Sequence, residues 1–121
     1  MPEYKFDHVH LISPDPDKTA EFYVRHFNAT AVQRMTLPGG TAVFIQLNGS
    51  SIIVSNAMDA KRPYGLEHFG LSTDNIETTV AELKAAGIKF QMEITQIGPG
   101  IRIAFFRAPE DVLIELVESK P

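Results

Sequence analysis

Apolar and polar residues alternate along Tyr4–Ser13, where His8 and His10 interleave with Val9 and Leu11. That two-residue period predicts a strand. Asp15 and Pro16 follow as an N-cap and a first helical residue. Apolar positions Ala20, Tyr23, Val24 and Phe27, three and four apart, predict the buried stripe of a helix running to about Phe27. Asn28 suits the left-handed turn that ends it. Strands are predicted at Ala29–Thr36, Thr41–Leu47 and Ser51–Ser55, divided by Pro38-Gly39-Gly40 and by Asn48-Gly49, a strong hairpin signal. Residues 56–65 read as a loop carrying Pro63 and Gly65.

The same order then recurs. Glu67–Thr73 alternates as a strand, and Asp74 and Glu77 are spaced as an N-cap and its reciprocal partner. Ile76, Val80 and Leu83 form a buried helical stripe that Gly87 ends, and strands follow near Ile88–Ile94, Ile101–Phe106 and Leu113–Val117. The chain is thus α+β, with two βαβββ modules at about 4–55 and 66–118 in a single domain spanning 1–121. His8 precedes His68 by 60 residues, as Leu11 does Leu71. A one-residue slip then matches Thr19 with Thr78, Arg25 with Lys84 and Asn28 with Gly87. Ile52 and Val54 match Ile114 and Leu116 at a separation of 62.

Alternation also assigns faces. Val9 and Leu11 are expected under the first helix, which turns His8 and His10 the other way. Phe69 and Leu71 take the helix side of the matching strand, leaving His68 and Gly70 opposite. In the last strand Ile114 and Leu116 take the helix side, so Glu115 points away from it. His8, His68 and Glu115 then form a three-ligand set for a divalent metal, suited to catalytic zinc or to the facial arrangement of non-haem iron. The residue matching Glu115 in the first module is Ile53, which cannot ligate, so three protein ligands are expected and not four.

Composition narrows the classes. The chain has no cysteine, which removes disulfide scaffolds, thiol catalysis and cysteine-ligated metal. A net charge of −4, with 11 Lys and Arg, argues against a nucleic-acid partner. No apolar run has the length of a membrane span, and Met1–Lys5 carries no apolar signal core, so a cytoplasmic chain without a membrane partner is expected.

Asp7-His8-Val9-His10-Leu11, Asp15 and Glu21-Phe22-Tyr23 before Phe27-Asn28 resemble the opening of vicinal-oxygen-chelate proteins, the glyoxalase, bleomycin-resistance and extradiol-dioxygenase superfamily. Glu67-His68-Phe69-Gly70-Leu71 resembles the opening of its second module. Ile103-Ala104-Phe105-Phe106, Pro109-Glu110 and Ile114-Glu115-Leu116 resemble its closing strands. The resemblance covers essentially the whole chain. It implies paired modules forming an incomplete barrel around a metal-binding pocket, with ligand positions at His8, His68 and Glu115. Glyoxalase I and methylmalonyl-CoA epimerase use a further Glu or Gln on the last strand of the first module, where this chain has Ser51-Ile52-Ile53-Val54-Ser55.

The function this implies is a metal-dependent lyase or isomerase of the glyoxalase type, acting on a small substrate that chelates the metal through adjacent oxygens. The ion is zinc, nickel, cobalt, manganese or iron. One alternative is a non-haem iron dioxygenase using the same His, His, Glu set. Another is a small-molecule binding or resistance protein without turnover. His10 and Glu115 are the candidate catalytic groups, His10 as a proton carrier or substrate contact. Gln46 or Phe44, depending on strand phase, and Tyr64 and Glu67 are candidate pocket residues, whereas His26 is read as structural and Arg102 and Arg107 as solvated or ion-paired. A homodimer is expected from the resemblance.

Overall fold

The structure is a computed structural model that describes residues 2–56 and 63–120. The predicted loop at 56–65 therefore lies largely outside the described residues. Two compact units divide the chain. One is His8–Glu67; the other joins His68–Pro121 with the segment before His8.

In the first unit, strand β1 (Tyr4–Ile12) leads into helix α1 (Pro16–Phe27), then β2 (Thr30–Leu37), β3 (Gly40–Leu47) and β4 (Ser50–Ser55). β1 pairs in parallel with β4, which pairs antiparallel with β3, and β3 with β2. The sheet is mixed and open, with β2 at its edge. Asn48 and Gly49 both take positive φ, 50° and 88°, as the two-residue turn between β3 and β4 requires. Ala20, Ala29, Val43 and Ile45 are the buried core, with Tyr23, Leu47 and Ile52 against it.

The second unit repeats this order with β5 (Gly65–Thr73), α2 (Ile76–Ala85), β6 (Phe90–Gly98), β7 (Ile101–Ala108) and β8 (Val112–Ser119). β5 pairs in parallel with β8, and β8–β7–β6 are antiparallel. Ile76, Val80, Ala104, Phe106, Ile114 and Leu116 form its core. The start of β1 packs here: Phe6 stacks on Phe69 at 5.9 Å, and the Glu3 N–H donates to Asp74 Oδ1 at 3.0 Å.

Three expectations need correction. The cap of α2 is Asn75, whose side chain accepts from the Thr78 N–H at 3.0 Å. Asp74 accepts from Glu3 and Glu77 from Arg102, so neither forms the expected capping box. The slip between repeats is also misplaced. Asp15 caps α1 as Asn75 caps α2, and the hydroxyl pair Ser13–Thr19 at 2.7 Å matches Thr73–Thr79 at 2.9 Å. The separation of 60 thus persists into both helices, Thr19 corresponds to Thr79, and the offset changes only beyond them. Finally, Val24 and Phe27 are exposed, because α1 packs on β3 and β4 through Ala20 and Tyr23. β2 is an edge strand, exposed up to Leu37, that meets α1 through the Arg34–Asp17 ion pair and leaves an open groove beside Val24.

A polar anchor unseen in the sequence closes the second unit. Glu118, on β8 and 3% exposed at its side chain, accepts from the Ile76 N–H at 2.8 Å and from Arg102 at 2.8 Å. Arg102 also bonds Glu77 at 2.7 Å, an ion-paired role as expected. Burial alone would raise the Glu118 pKa, but the Ile76 N–H, the Arg102 guanidinium and Lys120 together hold it below its ordinary value of 4.5.

Two outcomes follow from these anchors. Asn75→Ala should cost about 1 kcal/mol in chemical denaturation, and Asp74→Ala clearly less. Glu118→Gln should cost about 2 kcal/mol at neutral pH, since it weakens a charge-assisted bond to a buried N–H. A depressed carboxyl pKa contributes stability above the unfolded value that is lost as pH falls through the folded one. Denaturation midpoints measured from pH 6 down to pH 3 should therefore fall more steeply for the native chain than for Glu118→Gln.

Candidate metal centre

Strand pairing fixes which side chains share a face. In the first unit His8 is level with Ser51 and Gln46, His10 with Ile53 and Phe44, and Ile12 with Ser55 and Ala42. Val9 and Leu11 are level with Ile52 and Val54 on the opposite face, where Ile52 meets the core under α1. The faces are as alternation predicts. The burial is not: His8 is 4% exposed, whereas Val9 and Leu11 are only half-buried, because α1 covers β3 and β4 more than β1.

The His8 wall is held by hydroxyls. His10 Nε2 lies 2.7 Å from Ser55 Oγ, and Gln46 Nε2 donates to Ser51 Oγ at 2.6 Å. The His8 and His10 rings stand 6.4 Å apart, inclined at 63°. Gln46, Phe44 and Ile53 therefore share this face.

In the second unit Gly70, Glu115 and Phe105 are level across β5, β8 and β7. His68 Nε2 lies 3.3 Å from Glu115 Oε1; the His68 side chain is buried, 4% exposed, and that of Glu115 partly so, 12% exposed. The Phe105 ring meets the His68 ring edge to face at 5.1 Å. Glu67 alternates with His68 and so leaves this face, and Tyr64 is exposed. His26 sits in the last turn of α1 against Phe22, a structural placement. Arg107 bonds Gln91.

Each unit thus presents a buried imidazole on the face away from its helix, and the second adds a carboxylate. An imidazole nitrogen, and in the second unit a carboxylate oxygen beside it, are donor types that divalent transition metals accept. Ser51, Ser55 and Phe105 escaped the sequence reading. The serines flank Ile53 two residues to either side, so their parity alone places them on the His8 face.

Two βαβββ units with these donors define an α+β protein of the vicinal-oxygen-chelate fold. The chain belongs to the Glyoxalase/Bleomycin resistance protein/Dioxygenase superfamily, whose model matches residues 5–116. Human mitochondrial methylmalonyl-CoA epimerase is 27% identical over 130 residues, covering 95% of this chain and 74% of that protein. The uncharacterized protein YwkD of Bacillus subtilis is 28% identical, covering 93% and 94%. Among solved structures, the hypothetical protein BH1468 of Bacillus halodurans shares the fold at a TM-score of 0.84 and 22% identity, covering 98% and 96%. Methylmalonyl-CoA epimerase of Mycobacterium tuberculosis does so at 0.80 and 24%, covering 96% and 88%. No helix among the described residues is long and apolar enough to cross a membrane.

Phe105→Ala removes the ring against His68 and should cost about 3 kcal/mol in urea denaturation followed by circular dichroism. A cost near zero would mean that the ring does not support the His68 wall.

Proposed function

We propose that the chain is a metal-dependent isomerase of the glyoxalase type, with His8, His68 and Glu115 holding one divalent ion. The observation that carries this reading is the part-buried His68–Glu115 contact, matched at the equivalent repeat position by the buried His8. Methylmalonyl-CoA epimerase among the relatives supports a reaction that shifts a proton beside a carbonyl. The substrate class is a small acyl compound, such as a substituted malonyl thioester, with adjacent oxygens able to chelate.

A bound divalent ion would supply Lewis acidity toward those oxygens and favour loss of the neighbouring proton. Glu115 has the chemistry to take or return that proton, and its partial burial limits the carboxylate's contact with bulk water. Phe44 and Phe105 offer apolar surface beside the donors. Ser51 and Gln46 are placed to brace the His8 wall. A second reading rests on Ile53: three protein donors, two imidazoles and a carboxylate, are also the set of iron oxygenases.

Metal content and isotope exchange test the proposal. Untagged protein should carry about one divalent ion per chain, lost in His68→Ala and Glu115→Ala. Metal at a hundred times its Kd should raise unfolding free energy by about 2.7 kcal/mol. The loaded protein should exchange the α-proton of methylmalonyl-CoA for deuterium in heavy water. Metal binding without exchange, accompanied by iron-dependent oxygen uptake with a catechol, would replace the isomerase by the oxygenase. Ligand binding that survives metal removal, with no turnover, would leave a binding protein.

A further inference from the structure

We infer that His10 supplies the metal donor that Ile53 lacks, moved across by one strand. The inference rests on the metal reading above and adds a fourth protein ligand to it.

The two units share one level of three strands. In the second, Gly70 on β5, Glu115 on β8 and Phe105 on β7 stand side by side. In the first, His10 on β1, Ile53 on β4 and Phe44 on β3 occupy the same three stations. The aromatic station is identical in both. The other two are exchanged in character. The second unit places its donor on the strand after the hairpin and a glycine on its opening strand. The first places an aliphatic residue after the hairpin and an imidazole on its opening strand. Adjacent strands lie about 4.8 Å apart, comparable with the reach of a histidine from its backbone. An imidazole on β1 can therefore serve the region that a carboxylate on β4 would serve.

Local geometry favours a ligand. His8 and His10 leave one face of one strand two residues apart, and a ring nitrogen of His8 lies within 4.8 Å of one of His10. Binding one ion at about 2.1 Å from each nitrogen would bring these atoms to roughly 3.3 Å, a closure that side-chain rotation supplies. Ser55 Oγ, 2.7 Å from His10 Nε2, can accept a hydrogen bond from that nitrogen, as an outer oxygen acceptor does for the second nitrogen of a metal-binding histidine. With Nε2–H donated to that hydroxyl, the lone pair rests on Nδ1. Gln46 is the competing fourth donor, through Oε1; its Nε2 donates to Ser51 Oγ at 2.6 Å, and its strand position is level with His8 and not with Ile53.

The test is cobalt(II) binding to chelator-stripped full-length protein, measured in competition with a chromophoric chelator. His10→Ala should weaken binding roughly a hundredfold and Ser55→Ala roughly tenfold, while Gln46→Ala, which loosens only the brace on the His8 wall, should weaken it clearly less than His10→Ala. The second readout is proton NMR of the cobalt-loaded chain. Exchangeable imidazole N–H signals shifted by the ion should number three in the native chain and two in His10→Ala. Thermal unfolding of each stripped variant separates a lost ligand from a lost fold. Unchanged affinity and only two shifted signals in the native chain would overturn the assignment, as would a loss of affinity in Gln46→Ala alone. If Glu115→Ala and His68→Ala also bind cobalt as the native chain does, the metal reading itself has failed. If those two lose the ion and His10→Ala does not, only the present inference has.

Discussion

The chemistry of this chain hangs on the register of two parallel strand pairs, β1 with β4 and β5 with β8. Side chains alternate along a strand, so a slip of one residue would carry His8, His10, His68 and Glu115 to the helix side. What prevents it is apolar burial on the opposite face. Val54 is fully buried, and Ile114 and Leu116 are 3% and 2% exposed. Burial of such a side chain stabilises by about 1.5–3 kcal/mol, so a slip that exposed all three would cost several kcal/mol.

The corner from first strand to helix is built alike in both units. An Asx side chain caps the helix, its own N–H donates to a hydroxyl two residues earlier, and that hydroxyl meets a threonine of the helix. These bonds satisfy groups that a helix start leaves unpaired. They also fix where the chain turns, and so which helical residues meet the sheet. Beyond the corner the units differ: the second ties its helix start to the last strand through Glu118, whereas in the first Asn56, just after β4, donates to the Pro14 carbonyl.

The sequence was most legible where local chemistry decides alone. Asp15, Pro16 and Asn28 bound α1 at the predicted residues, and Asn28 takes a φ of 60°. The α2 start was ambiguous because Asp74 and Asn75 can both cap, and what separates them is a contact of Asp74 with Glu3, 71 residues away. Val24 and Phe27 fit a buried stripe in one dimension. Their exposure depends on how far the sheet extends beneath the helix, which periodicity does not encode. Of the site, strand alternation gave the shared face of His68 and Glu115. Ser55 and Phe105 acquire meaning only from the strand beside them.

The two units agree at the corners and disagree on the donor face, and the physics of each place explains why. A corner residue is constrained by helix-start N–H groups that lack a partner within the helix and need acceptors, so few side chains serve. A residue on the donor face contributes little to the core beneath the helix, so Gly70 can stand where its counterpart is His10 without disturbing Ile114 or Val54. Duplication on this scaffold therefore preserves the frame and frees the donor face. The reaction must be argued from that face residue by residue, because the frame is compatible with several donor sets.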